Sequence, residues 1–276
     1  MLWSAIEDRT PVGFGIRLLE RPVASPFGSE AEVCPRCGAR LEYASRTIAH
    51  LGAALCRRCS WRSAPPAYLG VVIAREGLRS VTLDVAGERV TIPTGGVHNA
   101  YNAIAAIAAA DLLGIPSKLS AEALRDFGPR FGRSEPVDVD GIPVWLTLMK
   151  NPGAADVLIR EIVRDERIGA VIVSVNDASA DGRDISWIWD VDFERLAQQG
   201  MPLFPSGRRA EDVAVRLKYA GGTVDQTRVD ALEAIGAAVA ACPAGRSPVV
   251  LATYTAMLDI RHAVGGRVAS LADRRP

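Results

Sequence analysis

Three things are missing from this chain of 276 residues, and each absence removes a class of function. Charge of one sign is not in excess. Lys plus Arg and Asp plus Glu stand at 32 each, so nothing in bulk electrostatics argues for nucleic acid or an anionic membrane surface. Long apolar runs are also absent: none reaches the roughly 18 residues that span a bilayer. The N-terminus Met1-Leu2-Trp3-Ser4-Ala5-Ile6-Glu7-Asp8 lacks the basic flank and apolar core of a secretion signal. A cytoplasmic protein with no transmembrane segment is expected. Third, no stretch reads GxxxxGK followed by Ser or Thr, and the glycine pairs Gly95-Gly96 and Gly221-Gly222 have no lysine in the right place. A complete phosphate cradle of that type cannot be built from these residues. Internal repeats and low-complexity tracts are missing too. What remains, 49% hydrophobic and 23% charged, is the composition of a soluble globular protein long enough for one large domain or two ordinary ones.

Cysteine is scarce, five in all, yet four of the five form two knuckles, Cys34-Pro35-Arg36-Cys37-Gly38 and Cys56-Arg57-Arg58-Cys59, separated by residues 38–55. Two CxxC knuckles at this spacing place four thiolates within reach of one tetrahedral ion, as in a structural zinc ribbon. Gly38 fits this reading, since the residue after the second cysteine of a knuckle commonly needs a positive φ. Two disulfides or four unrelated core thiols are the alternative, and a reduced cytoplasmic setting disfavours disulfides. Four sulfurs close the coordination shell, so the metal would hold structure and do no chemistry. His50, between the knuckles, is a weaker competitor for a tetrahedron the sulfurs already fill.

Along the chain, residues 1–30 show no persistent period and read as the tail of an element and a loop. The zinc segment carries short strands or turns at 41–43 and 48–52, and Pro65-Pro66 closes it. Stretches 69–74, 78–85 and 89–92 are rich in Val, Ile, Leu and Thr and predict strands of a hairpin or small sheet. Pro93-Thr94-Gly95-Gly96 then leads through Val97-His98-Asn99-Ala100-Tyr101-Asn102 into an alanine-rich helix over 103–113, so that polar cluster sits at a helix start. Ser120 is expected to open a short helix to residue 127. Residues 128–136 break the pattern and give the best domain boundary. Beyond it strands (144–149, 168–175, 202–205, 248–252) alternate with helices (154–164, 192–199, 211–219, 227–241, 254–262). That alternation, with near-continuous apolar strands, predicts an α/β domain with a mainly parallel sheet covered on both faces. Ligands of such sheets bind beyond the carboxyl ends of the strands.

The loop after 168–175 is the densest polar stretch, with Asp177, Asp181, Asp184, Asp190 and Asp192 inside residues 177–192 and Trp187 and Trp189 among them. So many carboxylates repel one another unless something cationic, a Mg2+, an arginine or a protonated histidine, lies among them. A solvated acidic loop with one core tryptophan is the plainer reading. Ser206-Gly207-Arg208-Arg209 before a helix could hold an anion, or Ser206 could cap that helix. His98-Asn99 could face a phosphate or merely cap. Arg133 could reach a phosphate bound between domains or pair with Glu135, and Lys150-Asn151-Pro152 is weaker still.

Seven islands in order resemble the MurT family, the Mur-ligase-like subunit of lipid II isoglutaminyl synthase. They are the two cysteine knuckles, Gly96-Val97-His98-Asn99-Ala100-Tyr101-Asn102, Phe131-Gly132-Arg133-Ser134-Glu135, Lys150-Asn151-Pro152, Asn176-Asp177 through Phe193-Glu194, Ser206-Gly207-Arg208-Arg209, and Thr253-Tyr254-Thr255-Ala256. The resemblance implies residues 1–132 as the C-terminal part of a Mur-ligase central ATPase domain with an inserted zinc ribbon at 31–66. It implies 133–276 as a C-terminal Mur-ligase-like domain. It further implies use of ATP with Mg2+ to phosphorylate the α-carboxylate of D-glutamate in lipid II or a related peptidoglycan precursor, at the inner face of the membrane. A GatD-type glutamine amidotransferase subunit would supply ammonia, giving D-isoglutamine. Carried onto this chain, Cys34, Cys37, Cys56 and Cys59 hold zinc. Asn99, with His98 and Asn102, lines the nucleotide site, and Arg133 approaches the phosphates. Asp184, with Asp181 next, completes the partner's Cys-His pair.

The family begins with a P-loop segment and a catalytic acidic residue well before its ribbon, whereas only 33 residues precede Cys34 here. A misassigned start, a fragment or a second polypeptide would each account for this, and whether the chain hydrolyses ATP by itself is left open. Two other readings compete. One is a non-catalytic zinc-bearing scaffold that docks an amidotransferase; the other is an ordinary Mur-type amino-acid ligase, disfavoured by the acidic Trp-rich loop and the ribbon.

Overall fold

The computed structural model describes residues 12–19, 32–48, 51–128 and 133–264; His50 and the 129–132 segment of the expected boundary lie outside them. The described residues form two compact units. The first takes those up to residue 75 with 81–92 and 97–127, and the second takes 76–80, 93–96 and those from 128 onward.

In the first unit β1 (Phe14–Leu18), β4 (Tyr68–Arg75), β5 (Val81–Val85) and β6 (Glu88–Ile92) make a sheet in the order β1-β4-β5-β6. β1 runs parallel to β4, and the other pairs are antiparallel. Ala86 and Gly87, at φ 51° and 80°, turn β5 tightly into β6, the conformation that matches the twist of a two-residue hairpin. Alternation along β5 buries Val81, Leu83 and Val85. Helix α1 (Val97–Leu112) lays Val97, Ala100, Ala103, Ile104 and Ile107 on them, and α2 (Ser117–Arg125) adds Ala121. Between β1 and β4 a separate hairpin, β2 (Glu42–Ile48) with β3 (Leu51–Leu55), carries the cysteine knuckles at its base.

The second unit holds a five-stranded sheet in the order β10-β9-β11-β8-β7, built from β7 (Glu135–Val139), β8 (Ile142–Leu148), β9 (Ile168–Ser174), β10 (Leu203–Ser206) and β11 (Ser247–Ala252). Four strands are parallel and β7 pairs antiparallel with β8 at the edge, so the sheet is mainly parallel as the sequence predicts. Each central strand feeds two cores. Val171, Val173, Val249 and Leu251 pack with α3 (Pro152–Arg164) and α5 (Ala210–Tyr219). Ala170, Ile172, Val250 and Ala252 pack with α6 (Ala231–Ala241) and α7 (Tyr254–Val264). Every residue of β9 and β11 is buried, which is why these strands read as unbroken apolar runs. A single 3-10 turn (Ser186–Asp190) and the short α4 (Glu194–Gln198) follow the acidic loop. No helix among the described residues is long and apolar enough to cross a membrane.

Several boundaries differ from the sequence reading for identifiable reasons. β1 lies inside the segment read as loop, because Ile16 is its one buried residue and no alternation shows. β7 begins inside the expected break; Pro136 is tolerated there because an edge strand need not donate from every residue. α2 starts at Ser117 behind Pro116, so Ser120 lies inside the helix and does not cap it. Ser206 is the last residue of β10, fully buried, and the residue before α5 is Arg209. α6 starts at Ala231, later than 227, because Val224 and Arg228 bridge to Leu203 and Ser206 and because Asp230 accepts from the Leu232 and Glu233 amides as the cap.

Candidate functional site

Two sites emerge, one in each unit. In the first, the knuckles repeat one geometry. The Cys34 amide donates to the Ala39 carbonyl at 2.7 Å, and the Cys56 amide to the Trp61 carbonyl at 2.8 Å, five residues on in each case. Val33 pairs with Arg40 and Leu55 with Arg62 on their flanks. Gly38 (φ 70°) and Ser60 (φ 59°) occupy the same left-handed position after the second cysteine, so the second knuckle meets with serine a conformation that favours glycine. The four Sγ atoms lie within 4.8 Å of one another, with Cys34 to Cys59 at 3.6 Å and Cys37 to Cys56 at 3.5 Å. A zinc tetrahedron with Zn–S near 2.3 Å has edges of about 3.8 Å. The donor set and its spacing therefore fit one such ion, bound by Cys34, Cys37, Cys56 and Cys59. Backbone hydrogen bonding from Cys59 leads the effects that lower the Cys56 thiol to about 7. At Cys59 the Trp61 amide pulls downward, but desolvation and the facing sulfurs of Cys37, Cys34 and Cys56 outweigh it and push that thiol up to about 12. Four thiols so close ionise together only around a cation.

In the same unit His98, Asn99 and Asn102 lie in the first turns of α1. Asn99 is buried, His98 half-buried and Asn102 exposed; His98 and Asn102, four residues apart, share a helix face. Arg133 belongs to the second unit, where its side chain is exposed and its carbonyl accepts from Thr94 Oγ1 at 3.2 Å. Glu135, its suggested surface partner, pairs with Arg261 instead.

The second site gathers at the carboxyl ends of the parallel strands, around a residue that sequence reasoning did not single out. Asn176, 4% exposed and two residues past β9, hydrogen-bonds to two other segments of the chain. Its amide donates to Thr253 Oγ1 at 2.9 Å. Its Nδ2 donates to Thr255 Oγ1 at 3.0 Å and to Asp259 Oδ2 at 3.1 Å, and its Oδ1 accepts from the Arg208 amide at 2.9 Å. Three separate islands of sequence thus meet on one side chain. The available signal was position: Asn176 and Thr253 are the first polar residues after two buried strands, and Arg208 follows a third. Gly207 permits the meeting. Its φ is 86°, and a Cβ there would stand 2.5 Å from the Val175 carbonyl oxygen.

Four of the five aspartates of the acidic loop engage different groups of the chain. Asp177 pairs with Arg209 at 3.2 Å, and Asp192 with Arg195 at 2.5 Å. Asp181 accepts the Thr255 amide at 2.8 Å with one oxygen and the Thr255 hydroxyl with the other, so both are committed to the first turn of α7. Asp184 differs: it is exposed, and Oδ1 accepts the amide of Ser186 at 2.8 Å. That amide, and then the Ser186 hydroxyl, hold its carboxyl below the ordinary carboxylate range. Asp184 is therefore a charged, oriented acceptor facing water. The tryptophans split: Trp187 packs against the core, while Trp189 is 47% exposed, edge-on to Tyr219 at 5.6 Å and beneath the guanidinium of buried Arg216. Asn151 caps α3 through the Ala154 amide at 2.9 Å, which accounts for Lys150-Asn151-Pro152 as a helix start.

Residues 148–257, which include the Asn176 junction and the acidic loop, match the family model described as MurT ligase C-terminal. The subunit MurT of lipid II isoglutaminyl synthase (glutamine-hydrolyzing) from Streptococcus pneumoniae is 31% identical over 257 residues, covering 92% of this chain and 57% of that protein. Its counterpart from Staphylococcus aureus is 28% identical over 218 residues, 78% of this chain and 49% of its own length. The chain thus spans about half the length of these relatives. Among solved structures, a pseudomurein peptide ligase type C from Methanothermus fervidus superposes with a TM-score of 0.62 at 18% identity, over 92% of this chain and 52% of that one. MurF from Acinetobacter baumannii gives 0.55 at 16% identity, over 74% and 45%. At these identities the likeness establishes a Mur-ligase-like α/β fold and no more.

Proposed function

Since the chain belongs to the MurT family, we propose that it is the substrate-activating subunit of a glutamine-hydrolysing lipid II isoglutaminyl synthase. The observation that carries this is the relationship to the pneumococcal subunit along 92% of the chain, together with the convergence of three sequence islands on Asn176. In this reading residues 1–132 are the C-terminal part of an ATPase domain with the zinc ribbon at 31–66, and 133–276 are the C-terminal domain. Zinc in the ribbon supplies structure alone. ATP with Mg2+ supplies the phosphoryl group: the D-glutamate α-carboxylate takes the γ-phosphoryl with loss of ADP, and ammonia then displaces phosphate from the acyl carbon to give the amide. Asn99, His98 and Asn102 contribute part of the nucleotide site, with Arg133 for the phosphates. No complete phosphate cradle of the GxxxxGK-Ser/Thr type is encoded in the 276 residues, and in this reading a segment outside them would supply it.

Ammonia comes from a GatD-type partner, and Asp184 is the residue we assign to it. Asp181 has both oxygens engaged within the chain, whereas Asp184 is charged, exposed and held by its turn, able to accept the N–H of an incoming histidine and fix its tautomer. The proposed setting is the cytoplasm, at the inner face of the membrane. The test is binding and stimulation. The chain is mixed with a GatD-type subunit, and glutamine hydrolysis is measured for the pair against the partner alone. Complex formation with stimulation is expected; absence of both sinks the subunit reading. A non-catalytic scaffold is the second reading, favoured by the missing phosphate cradle. It predicts the same complex but no ATP-dependent amidation even when the P-loop segment is supplied.

A further inference from the structure

The hydroxyl of Tyr101 joins three elements of the first unit. It lies 2.5 Å from Thr47 Oγ1, near the tip of the β2–β3 hairpin. The backbone N–H of Ile16, in β1, also hydrogen-bonds to it. Donor directions follow by elimination. Thr47 gives its single proton to the Leu51 carbonyl at 3.0 Å, so it accepts from Tyr101, and the Tyr101 oxygen accepts from Ile16. One chain of hydrogen bonds therefore runs from the sheet, through α1, to the hairpin tip. Thr47 is 7% exposed and Tyr101 packs with Ile48 against the core of the unit, so water is a poor substitute for either partner.

The hairpin has little else to hold it. A lone two-stranded hairpin is marginal in water. This one has register breaks between Tyr43 and Ser45 and between Arg46 and Ile48, and Thr47 and Ala54 are the only buried residues of its two strands. It is fixed at its ends: by Cys34, Cys37, Cys56 and Cys59 at the base, and by Thr47 and Ile48 at the tip. We infer that the metal ribbon is a strut that positions α1 through the Thr47–Tyr101 hydrogen bond, so that loading of the four sulfurs is felt in the helix turns that carry His98, Asn99 and Asn102. Tyr101 is then a positioning residue. Its importance for catalysis rests on the nucleotide role proposed for α1, but the coupling itself does not.

Hydrogen–deuterium exchange on the full chain tests the strut without nucleotide or activity. Metal content is measured first, and a chain that binds no zinc overturns the inference. In the zinc-loaded protein, chelation should speed exchange of the amides of residues 101–107 about tenfold, the effect of losing roughly one net hydrogen bond, while the amides of α3 stay unchanged. Tyr101→Phe and Thr47→Val, with zinc retained, should show the same acceleration, and chelation should then add little at α1. Wild-type exchange in both variants overturns the inference, as does indifference of α1 to metal. Should chelation release β5 and β6 as well, the zinc-loaded variants decide: selective loss at α1 sustains the strut and no loss refutes it. A chain that stimulates its glutaminase partner while α1 ignores zinc would refute the strut and leave the proposed function standing.

Discussion

The ribbon and the Asn176 junction solve the same problem, holding a polar loop in one conformation, by opposite means. At the junction the sheet does the work. Three strands, buried end to end, deliver Asn176, Thr253 and Arg208 to neighbouring positions, and the polar groups then satisfy one another. The ribbon has no such scaffold. Its cluster of buried residues is Cys34, Leu41, Ala54 and Cys56, too small to offset the entropy of ordering two knuckles and a hairpin. Four sulfurs around an ion replace the missing core. The difference teaches where each region is vulnerable: the ribbon to loss of a ligand, the junction to loss of a hydrogen bond or of backbone freedom.

Cys59→Ser should have the largest effect, because a structural zinc contributes on the order of 10 kcal/mol to the segment it folds. The expected result is rapid proteolysis within residues 32–66 and stoichiometric zinc loss, with the α3 to α7 region as resistant as before. A ribbon that keeps its order without metal would erase the contrast. Asn176→Ala comes next. It leaves the Arg208 amide without its acceptor and takes one partner each from half-buried Thr255 and exposed Asp259, and should lower the stability of the second unit by about 2 kcal/mol in urea titrations; an unchanged midpoint would mean that water replaces the amide. Gly207→Ala should cost about 2 kcal/mol, since alanine must hold φ near 86° with its methyl against the Val175 carbonyl. Together the last two ask whether the junction depends on its side chain or on the turn that brings the chain to it.

Much of this was legible because the signals were local and periodic. The knuckles announce themselves by spacing, and β9 and β11 by unbroken apolar runs. The alanine-rich stretch marks α1, whose polar first turns were also foreseeable. What was hidden depends on partners distant in sequence. β1 has a single buried residue, and it exists because β4 pairs with it. β7 contains a proline that only an edge position tolerates. Ser206 looks like a helix cap until the sheet register extends β10 through it alongside Ser174. The five aspartates read as a crowd in need of a cation. Arginines, one of the cations the sequence allowed, pair with Asp192 and Asp177, and the start of α7 engages Asp181; which acid meets which partner is not written in the loop's own sequence. The same division of partners separates Asp181 from Asp184, which the sequence left as alternatives.

The smallest effect on stability, and the sharpest test of that separation, is expected from Asp184→Asn. The side chain is exposed, and an asparagine oxygen can still accept the Ser186 amide, so the urea midpoint should not move measurably. Charge is what the variant removes. In the wild type the Ser186 amide lowers the pKa, so the carboxylate stays charged to lower pH than an unperturbed aspartate would. Stimulation of the partner's glutaminase should therefore be insensitive to titration of Asp184 at neutral pH, yet fall by about 100-fold or more in the asparagine variant with the complex intact, as when an aspartate that orients a catalytic histidine is made neutral. Asp181→Asn should behave in reverse. Losing the charge that accepts the Thr255 amide and hydroxyl should cost the second unit about 1–2 kcal/mol while leaving most of the stimulation. If Asp181→Asn abolished stimulation at unchanged stability and Asp184→Asn did not, the partner-facing carboxylate would be Asp181, and exposure in the isolated chain would be a poor guide to which acid meets the histidine.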